Sequence, residues 1–254
     1  MEKINQFSMK RFILIMNRYV TFNLKSWLIA LGALMGLIII VGLFNVYQSG
    51  GINILEPISV LGTVLVMISG FILTSMTYSE LHTPAKSQFF LILPATTSEK
   101  LFAHWLVTSV VYILLANLLV SLSVLIYTSV SMLIWNSNFV FFNPFSIDNL
   151  ELMGIYVIVH SIFFLGAIQF RKNNFMKTIL SVFVIVTILN ILVVAISYLF
   201  VGNTNIEMSG EGSNPELILF IENTLPMVGK IFLYGLLAPF CLLVSFYKLK
   251  EREV

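Results

Sequence analysis

Six stretches of the sequence carry no charged residue, and they constrain the fold more than any other feature. They are residues 27–47, 58–78, 105–135, 152–170, 178–201 and 231–247. Each is long enough for a helix to cross the roughly 30 Å hydrocarbon core of a membrane. Only 10% of the 254 residues are charged, too few to give a domain of this size a polar surface. Since only helices and closed barrels satisfy their backbone groups in lipid, we predict an all-α integral membrane bundle of six transmembrane helices.

Lysine and arginine lie almost wholly in alternate connections between these stretches. The N-terminal tail, the second loop, the fourth loop and the C-terminal tail together hold 13 of the 14, and the remaining one is Lys230. Short connections rich in lysine and arginine stay on the cytoplasmic side of a membrane. We therefore expect both termini of the chain in the cytoplasm.

Residues 1–26 carry a stripe of basic residues. The stripe consists of Lys3, Lys10, Arg11, Arg18 and Lys25. Spacings of seven residues are close to two helical turns, so these residues share one side of a helix, next to apolar residues. We predict a helix that lies in the membrane interface ahead of a six-span domain, 27–254. It would serve either as an anchor on anionic lipid or as a lever that contacts a cytoplasmic partner.

The second loop, 79–104, is the longest basic connection, and it carries large apolar residues. The segment 89–93 is apolar but too short to span, and Pro94 halts it. Thr96 followed by Glu99 is the pattern of a capping box that opens the next helix. We predict a short apolar element and a sharp corner here. An inert linker is the alternative, but exposed apolar surface usually marks a contact site.

Three polar residues inside the predicted spans are candidate sites. They are Asn117, His160 and Asn190. No span contains a carboxylate that could share a proton with His160, so we expect all three side chains to form hydrogen bonds between helices. The absence of carboxylates argues against transport driven by protons or sodium, but not against transport powered by another protein.

The motifs of several chemistries are missing from the sequence. There is no Gly-x-x-x-x-Gly-Lys-Ser/Thr loop for ATP, no His-Glu-x-x-His and no Gly-x-Ser-x-Gly. The one cysteine, Cys241, has no partner for a disulfide and no metal-ligand spacing around it. We expect no catalytic residue, no cofactor, no metal and no nucleic-acid partner.

The layout and the stretch LPATTSEK at 93–100 resemble the permease subunit of bacterial type-2 ABC transporters, a six-span class of exporters. Members of this family often carry a Leu-Pro-small-Ser/Thr…Lys stretch between the second and third spans. A short external helix before the last span is also part of the layout, and Asn214-Pro215 would begin it here.

The resemblance implies a coupling helix in the second loop that docks on a separate cytoplasmic ABC ATPase. Its core would be Phe89, Phe90, Leu91 and Pro94, and its polar rim Glu99 and Lys100. ATP would act on that partner, so the chain itself is not expected to be an enzyme. The resemblance also implies a second permease copy or paralogue and a place in the bacterial inner membrane.

Two other interpretations of the chain stay open. One is a non-transporting accessory or sensor subunit, which would not depend on ATP hydrolysis by a partner. The other is an intramembrane enzyme built around His160.

Overall fold

Every regular element in the computed structural model, which describes residues 7–53, 55–201 and 232–253, is helical. The α-helices are α1 (Met9–Gln48), α2 (Leu55–Met76), α3 (Ser79–His82), α4 (Pro84–Leu91), α5 (Thr97–Leu106), α6 (Tyr112–Trp135), α7 (Ile147–Gln169), α8 (Asn174–Val201) and α9 (Ala238–Glu253). A π-helical segment, Val107–Val111, joins α5 to α6, and another, Phe232–Leu237, precedes α9. The predicted all-α class is confirmed for these residues.

Five helical stretches are long and apolar enough to cross a membrane. They are Met9–Gln48, Pro57–Met76, Thr97–Trp135, Ile147–Gln169 and Asn174–Leu192. They contain most of the first five predicted spans and are consistent with a protein that crosses a membrane several times. The sixth predicted span, 231–247, falls on the segment Phe232–Leu237 and α9, which is not among the five. The predicted external helix that begins at 214 lies outside the described residues.

The first helix is continuous over 40 residues, so the separate interfacial helix predicted over 1–26 is not present in the described residues 7–26. At 1.5 Å per residue α1 is about 60 Å long, roughly twice the thickness of the hydrocarbon core. Residues 9–31 contain neither proline nor glycine, and so nothing in this part of the chain interrupts the helix. The first half of α1 therefore continues the first predicted span, 27–47, as one helix.

α1 runs parallel to α5 and α6 along its whole length. Near the start of α1, the Ser8 N–H donates to the Glu99 carboxylate. Near its end, Gly42 lies so close to Tyr127 that an added Cβ would stand 2.7 Å from the ring. Beyond it, the ring centroids of Tyr47 and Trp135 are 6.4 Å apart. α1 therefore contacts the helix formed by α5 and α6 near both of its ends.

The connections between helices that the structure describes lie at two ends of the bundle, as the charge alternation predicts. At the end that we call the basic end, the starts of α1 and α5 meet α3, α4, the α7–α8 turn and the end of α9. Contacts there include Arg11 with Glu99, at 2.8 Å, and Arg252 with His82, at 3.0 Å. At the opposite end, the Asn53 N–H donates to Asn138 Oδ1 at 3.0 Å.

The core lies between α1, α2, α6 and α7, and tyrosines fill much of it. The Tyr156 ring stacks on Phe71 with centroids 5.4 Å apart, and its hydroxyl donates to the Thr108 carbonyl at 3.0 Å. α8 is different, because from residue 183 to 192 every side chain is exposed. The first turn of α8 packs on α7 through Phe175 and Phe163, with ring centroids 5.6 Å apart, and bonds to α2 from Asn174 to the Ser75 carbonyl at 3.2 Å.

Candidate functional site

The second loop folds into a tight corner at the basic end. α3 ends at His82, Pro84 takes the first position of α4, and α4 ends at Leu91. The capping box predicted for the next helix is confirmed: the Glu99 N–H donates to Thr96 Oγ1 at 3.2 Å, and the Thr96 N–H donates to Glu99 Oε2 at 2.9 Å. The chain therefore enters α5 at a fixed angle.

The four residues predicted as the core of a docking element do not all point the same way. Phe89 is 72% exposed and the neighbouring Ile92 is 76% exposed. Phe90 is only 2% exposed and packs edge to face on Tyr78, with ring centroids 6.0 Å apart. α4 is thus anchored by Phe90 and presents an exposed surface formed by Phe89, Leu91, Ile92 and Pro94, which we call the apolar patch.

Glu99 and Lys100 do not form the polar rim that the sequence analysis assigned to them, because both are buried. The Glu99 carboxylate accepts hydrogen bonds from Arg11 at 2.8 and 3.1 Å. Lys100 Nζ lies over the ring of Phe90, 5.4 Å from its centroid, and donates to the Leu91 carbonyl at 3.4 Å. The capping box turns Glu99 back toward the start of its own helix, where α1 begins, so its charge is compensated inside the chain.

The charge on Glu99 is stabilised by its surroundings. Burial raises the pKa of this carboxyl, but hydrogen bonds from Arg11 and from the N–H groups of Ser8 and Thr96 outweigh that effect and hold its pKa below the usual value. The same pair raises the pKa of Arg11. Glu99 is therefore a carboxylate at neutral pH, and it joins α1 to α5.

A second ion pair fixes α1 to the other side of the corner. Arg18 donates to Glu80 at 3.0 Å, and the neighbouring Tyr19 hydroxyl donates to Thr77 Oγ1 at 3.3 Å. The Tyr19 ring also packs on His104, with centroids 4.6 Å apart. The first half of α1, the end of α2 and the start of α5 thus form one packed unit.

The predicted basic stripe is divided by these contacts. Arg11 and Arg18 face carboxylates of the same protein, whereas Lys10 and Lys25 are exposed. Lys3 lies outside the described residues. Sequence reasoning missed both ion pairs, although the signal was present: the only two acids of the second loop match two arginines that are seven residues apart on α1.

The three polar residues inside the spans have different surroundings. His160 is fully buried, with Nε2 2.9 Å from Thr108 Oγ1, and Asn117 Oδ1 accepts from Asn149 Nδ2 at 2.7 Å. The expected hydrogen bonds between helices are present for these two. Within residues 7–53, 55–201 and 232–253, Asn190 bonds only to its own helix, from Nδ2 to the Val186 carbonyl at 2.7 Å, and its side chain is exposed. The prediction is wrong for Asn190 within the described chain.

No three His, Cys, Asp or Glu side chains lie close enough to hold a metal ion in the part of the chain that the structure describes. No protein-family model, no curated protein and no solved structure matches this chain. The function of the basic end has to be inferred from its own geometry, in which an exposed apolar patch stands on a corner fixed by ion pairs.

Proposed function

We propose that this chain is the membrane-spanning permease subunit of an ATP-driven ABC-type exporter in a bacterial inner membrane. A separate cytoplasmic ATPase docks on the apolar patch and hydrolyses the ATP, and the chain itself carries no catalytic site. The observation that carries the proposal is the exposure of Phe89 and Ile92 on a short helix whose other side is anchored by Phe90.

The apolar patch has the properties of a docking surface. It stands at the basic end, next to the half of α1 that extends beyond the length needed to cross the hydrocarbon core. Large apolar side chains that face water are unfavourable unless a partner covers them. A helix that inserts an apolar face into a groove is a common mode of recognition between proteins.

The corner also supports a way of transmitting motion. When the ATPase moves α4, the ion pairs Arg11–Glu99 and Arg18–Glu80 carry the displacement into α1 and α5. α1 reaches the opposite end of the bundle, and α5 is continued there by the π-helical segment and α6, so that Tyr47 packs near Trp135. The permease supplies a rigid unit with two positions, and nucleotide-driven closure of the ATPase favours one of them.

The proposal includes a topology of six crossings with both termini in the cytoplasm. The segment Phe232–Leu237 together with α9 forms the sixth crossing. The distribution of 13 of the 14 lysines and arginines over alternate connections supports the orientation, because the described connections among these meet at the basic end.

The proposal also includes a second permease copy or paralogue. The exposed stretch 183–192 of α8 supports it, because among the described residues the Asn190 amide is bonded only within its own helix. A second permease would give this amide a partner and would close the transport path between two bundles.

The experiment is affinity purification of the chain from membranes of its own host, with detection of a bound P-loop ATPase by nucleotide photolabelling. Phe89→Asp/Ile92→Asp should reduce the bound ATPase at least tenfold while the permease stays in the membrane. Phe90 is left unchanged, since a charge at this buried position would disturb the fold.

The matched control is Ile13→Asp/Leu14→Asp, which places the same charges on exposed apolar residues of α1. This variant should retain the ATPase. If no ATPase binds the original protein, or if the Phe89/Ile92 variant retains it, the chain is not a permease coupled through the apolar patch.

A further inference from the structure

A pocket of about 460 Å³ lies at the basic end, between the end of α2 and the α7–α8 turn. Its polar wall includes His82, Arg171 and Lys172, and its apolar wall includes Ile72, Met76 and Phe175. It is separate from the apolar patch, and the function proposed above does not use it.

The polar wall carries positive charge that the described residues do not neutralise. Arg171 and Lys172 are exposed and take part in no ion pair in the described part of the chain. Arg252 lies close to Arg171 and likewise forms no ion pair in the described part of the chain. Burial lowers the pKa of Arg252, and the charge of Arg171 lowers it further, so the two guanidinium groups repel each other.

His82 adds no negative charge to the basic residues Arg171, Lys172 and Arg252, and its ring positions Arg252. Its Nε2 lies 2.7 Å from the Ala167 carbonyl and its Nδ1 lies 3.0 Å from an Arg252 nitrogen. Because arginine only donates, Nδ1 accepts and Nε2 carries the proton, so the ring is neutral. Burial lowers the pKa of His82, and the charges of Arg252 and Arg171 lower it further. His82 thus positions Arg252 next to the pocket.

The start of α8 adds further attraction for an anion. Asn174, the first residue of α8, lines the pocket, and its Nδ2 donates to the Ser75 carbonyl at 3.2 Å and to the Ala167 carbonyl at 3.4 Å. These bonds tie the start of α8 to α2 and α7. Because Asn174 and Phe175 line the pocket together with Arg171 and Lys172, the positive end of the helix dipole lies beside this basic wall.

The apolar wall distinguishes a lipid from a free anion. Ile72 is 42% exposed and Met76 is 64% exposed, and both lie on α2 on the membrane side of His82. Four residues of helix correspond to about 6 Å, so this surface leads from the charged wall into the span. A phospholipid has this pattern of a phosphate followed by acyl chains, whereas a free phosphate would leave the apolar wall uncovered.

We propose that this pocket binds the phosphate headgroup of an anionic phospholipid from the leaflet at the basic end, with an acyl chain along Ile72 and Met76. Basic pockets between membrane helices at this depth are suited to anionic headgroups. The site goes beyond transport and is independent of whether an ATPase docks on the apolar patch.

The test is native mass spectrometry of the full chain in detergent, titrated with phosphatidylglycerol or with phosphatidylcholine of the same acyl chains. The protein should bind phosphatidylglycerol at least tenfold more tightly. Arg171→Gln/Lys172→Gln should weaken phosphatidylglycerol binding roughly 30-fold, as expected for the loss of two basic contacts. Neither side chain is in a hydrogen bond that supports the described fold, so the variant should remain folded.

The matched control is Lys86→Gln/Lys250→Gln, which removes the same charge from two exposed lysines outside the pocket. It should change the affinity less than threefold. Met76→Gln should weaken lipid binding by changing only the apolar wall.

Three results would overturn the proposal. Equal weakening by the control variant would show a general attraction to positive charge. Equal binding of phosphatidylcholine would show that the phosphate pocket does not select the headgroup. Displacement of the lipid by about 10 mM inorganic phosphate, with no effect of Met76→Gln, would show a site for free phosphate.

Discussion

One carboxylate, that of Glu99, joins three parts of the chain: the start of α1, the turn before α5 and α5 itself. Glu99→Gln keeps the capping box, because glutamine also fits this position, but it removes the charge that binds Arg11. We expect a loss of about 1–2 kcal/mol of stability, measured as a lower melting temperature in detergent. Glu251→Gln, which removes an exposed pair with Lys248, should change the melting temperature little. Equal effects of the two variants would contradict the role assigned to Glu99.

The same residue gives a prediction for pH. Because the folded protein holds the pKa of Glu99 below the ordinary value of a glutamate carboxyl, the carboxylate stabilises the fold at pH values above that ordinary pKa. This contribution is lost as the pH falls through the lower, folded-state pKa. The difference in melting temperature between the original protein and Glu99→Gln should therefore be constant near neutral pH and shrink below about pH 4.5. A difference that stays constant down to pH 3 would show that the charge of Glu99 is not what stabilises the corner.

The structure of the corner around these residues could be predicted from the sequence only in part. The spacing of Thr96 and Glu99 was sufficient for the capping box, because that motif is local. It could not show that Phe89 and Phe90, which are adjacent and chemically identical, point in opposite directions. That outcome depends on Tyr78, which lies on the other side of the corner and receives Phe90.

At the scale of helices, the parallel packing of α1 on α6 depends on a glycine. An added Cβ on Gly42 would stand 2.7 Å from the Tyr127 ring, whereas one on Gly36 would meet nothing within 4 Å. Gly42→Ala should cost about 1–3 kcal/mol, because the ring must move. Gly36→Ala should be neutral or stabilising by up to about 1 kcal/mol, because alanine favours a helix. The test is to measure the melting temperatures of both variants in the same detergent. A Gly42→Ala protein as stable as Gly36→Ala would mean that α1 and α6 lie further apart than in the structure.

The sequence predicted the positions of helices where composition alone determines them. Uncharged runs located the five helical stretches that are long and apolar enough to cross a membrane, since hydrocarbon excludes charge whatever the tertiary structure. They could not show that α1 continues unbroken from residue 9, because basic residues on one side suit both an interfacial helix and a helix that packs against carboxylates. Glu80 and Glu99 decide between the two, and they are distant from Arg18 and Arg11 in sequence.

At the scale of the molecule, the stretch 183–192 of α8 is exposed in the part of the chain that the structure describes. A polar amide in the middle of a spanning helix is costly when only lipid surrounds it. Asn190 is in this position, with an exposed side chain bonded to its own Val186 carbonyl. By contrast, the Asn117 amide is buried and accepts a hydrogen bond from Asn149 on a second helix of the same chain.

Asn190→Leu should therefore weaken the association of two copies. Hydrogen bonds between membrane helices contribute about 0.6 to 1.7 kcal/mol, so the dissociation constant should rise roughly 3- to 15-fold, as measured by energy transfer between labelled copies in liposomes. Ser181→Ala is the control, since Ser181 also bonds within its own helix, at 2.8 Å to the Lys177 carbonyl, and nine residues place it on the opposite face. An Asn190→Leu protein that associates as tightly as Ser181→Ala would mean that α8 faces lipid, and that any second permease binds through another helix.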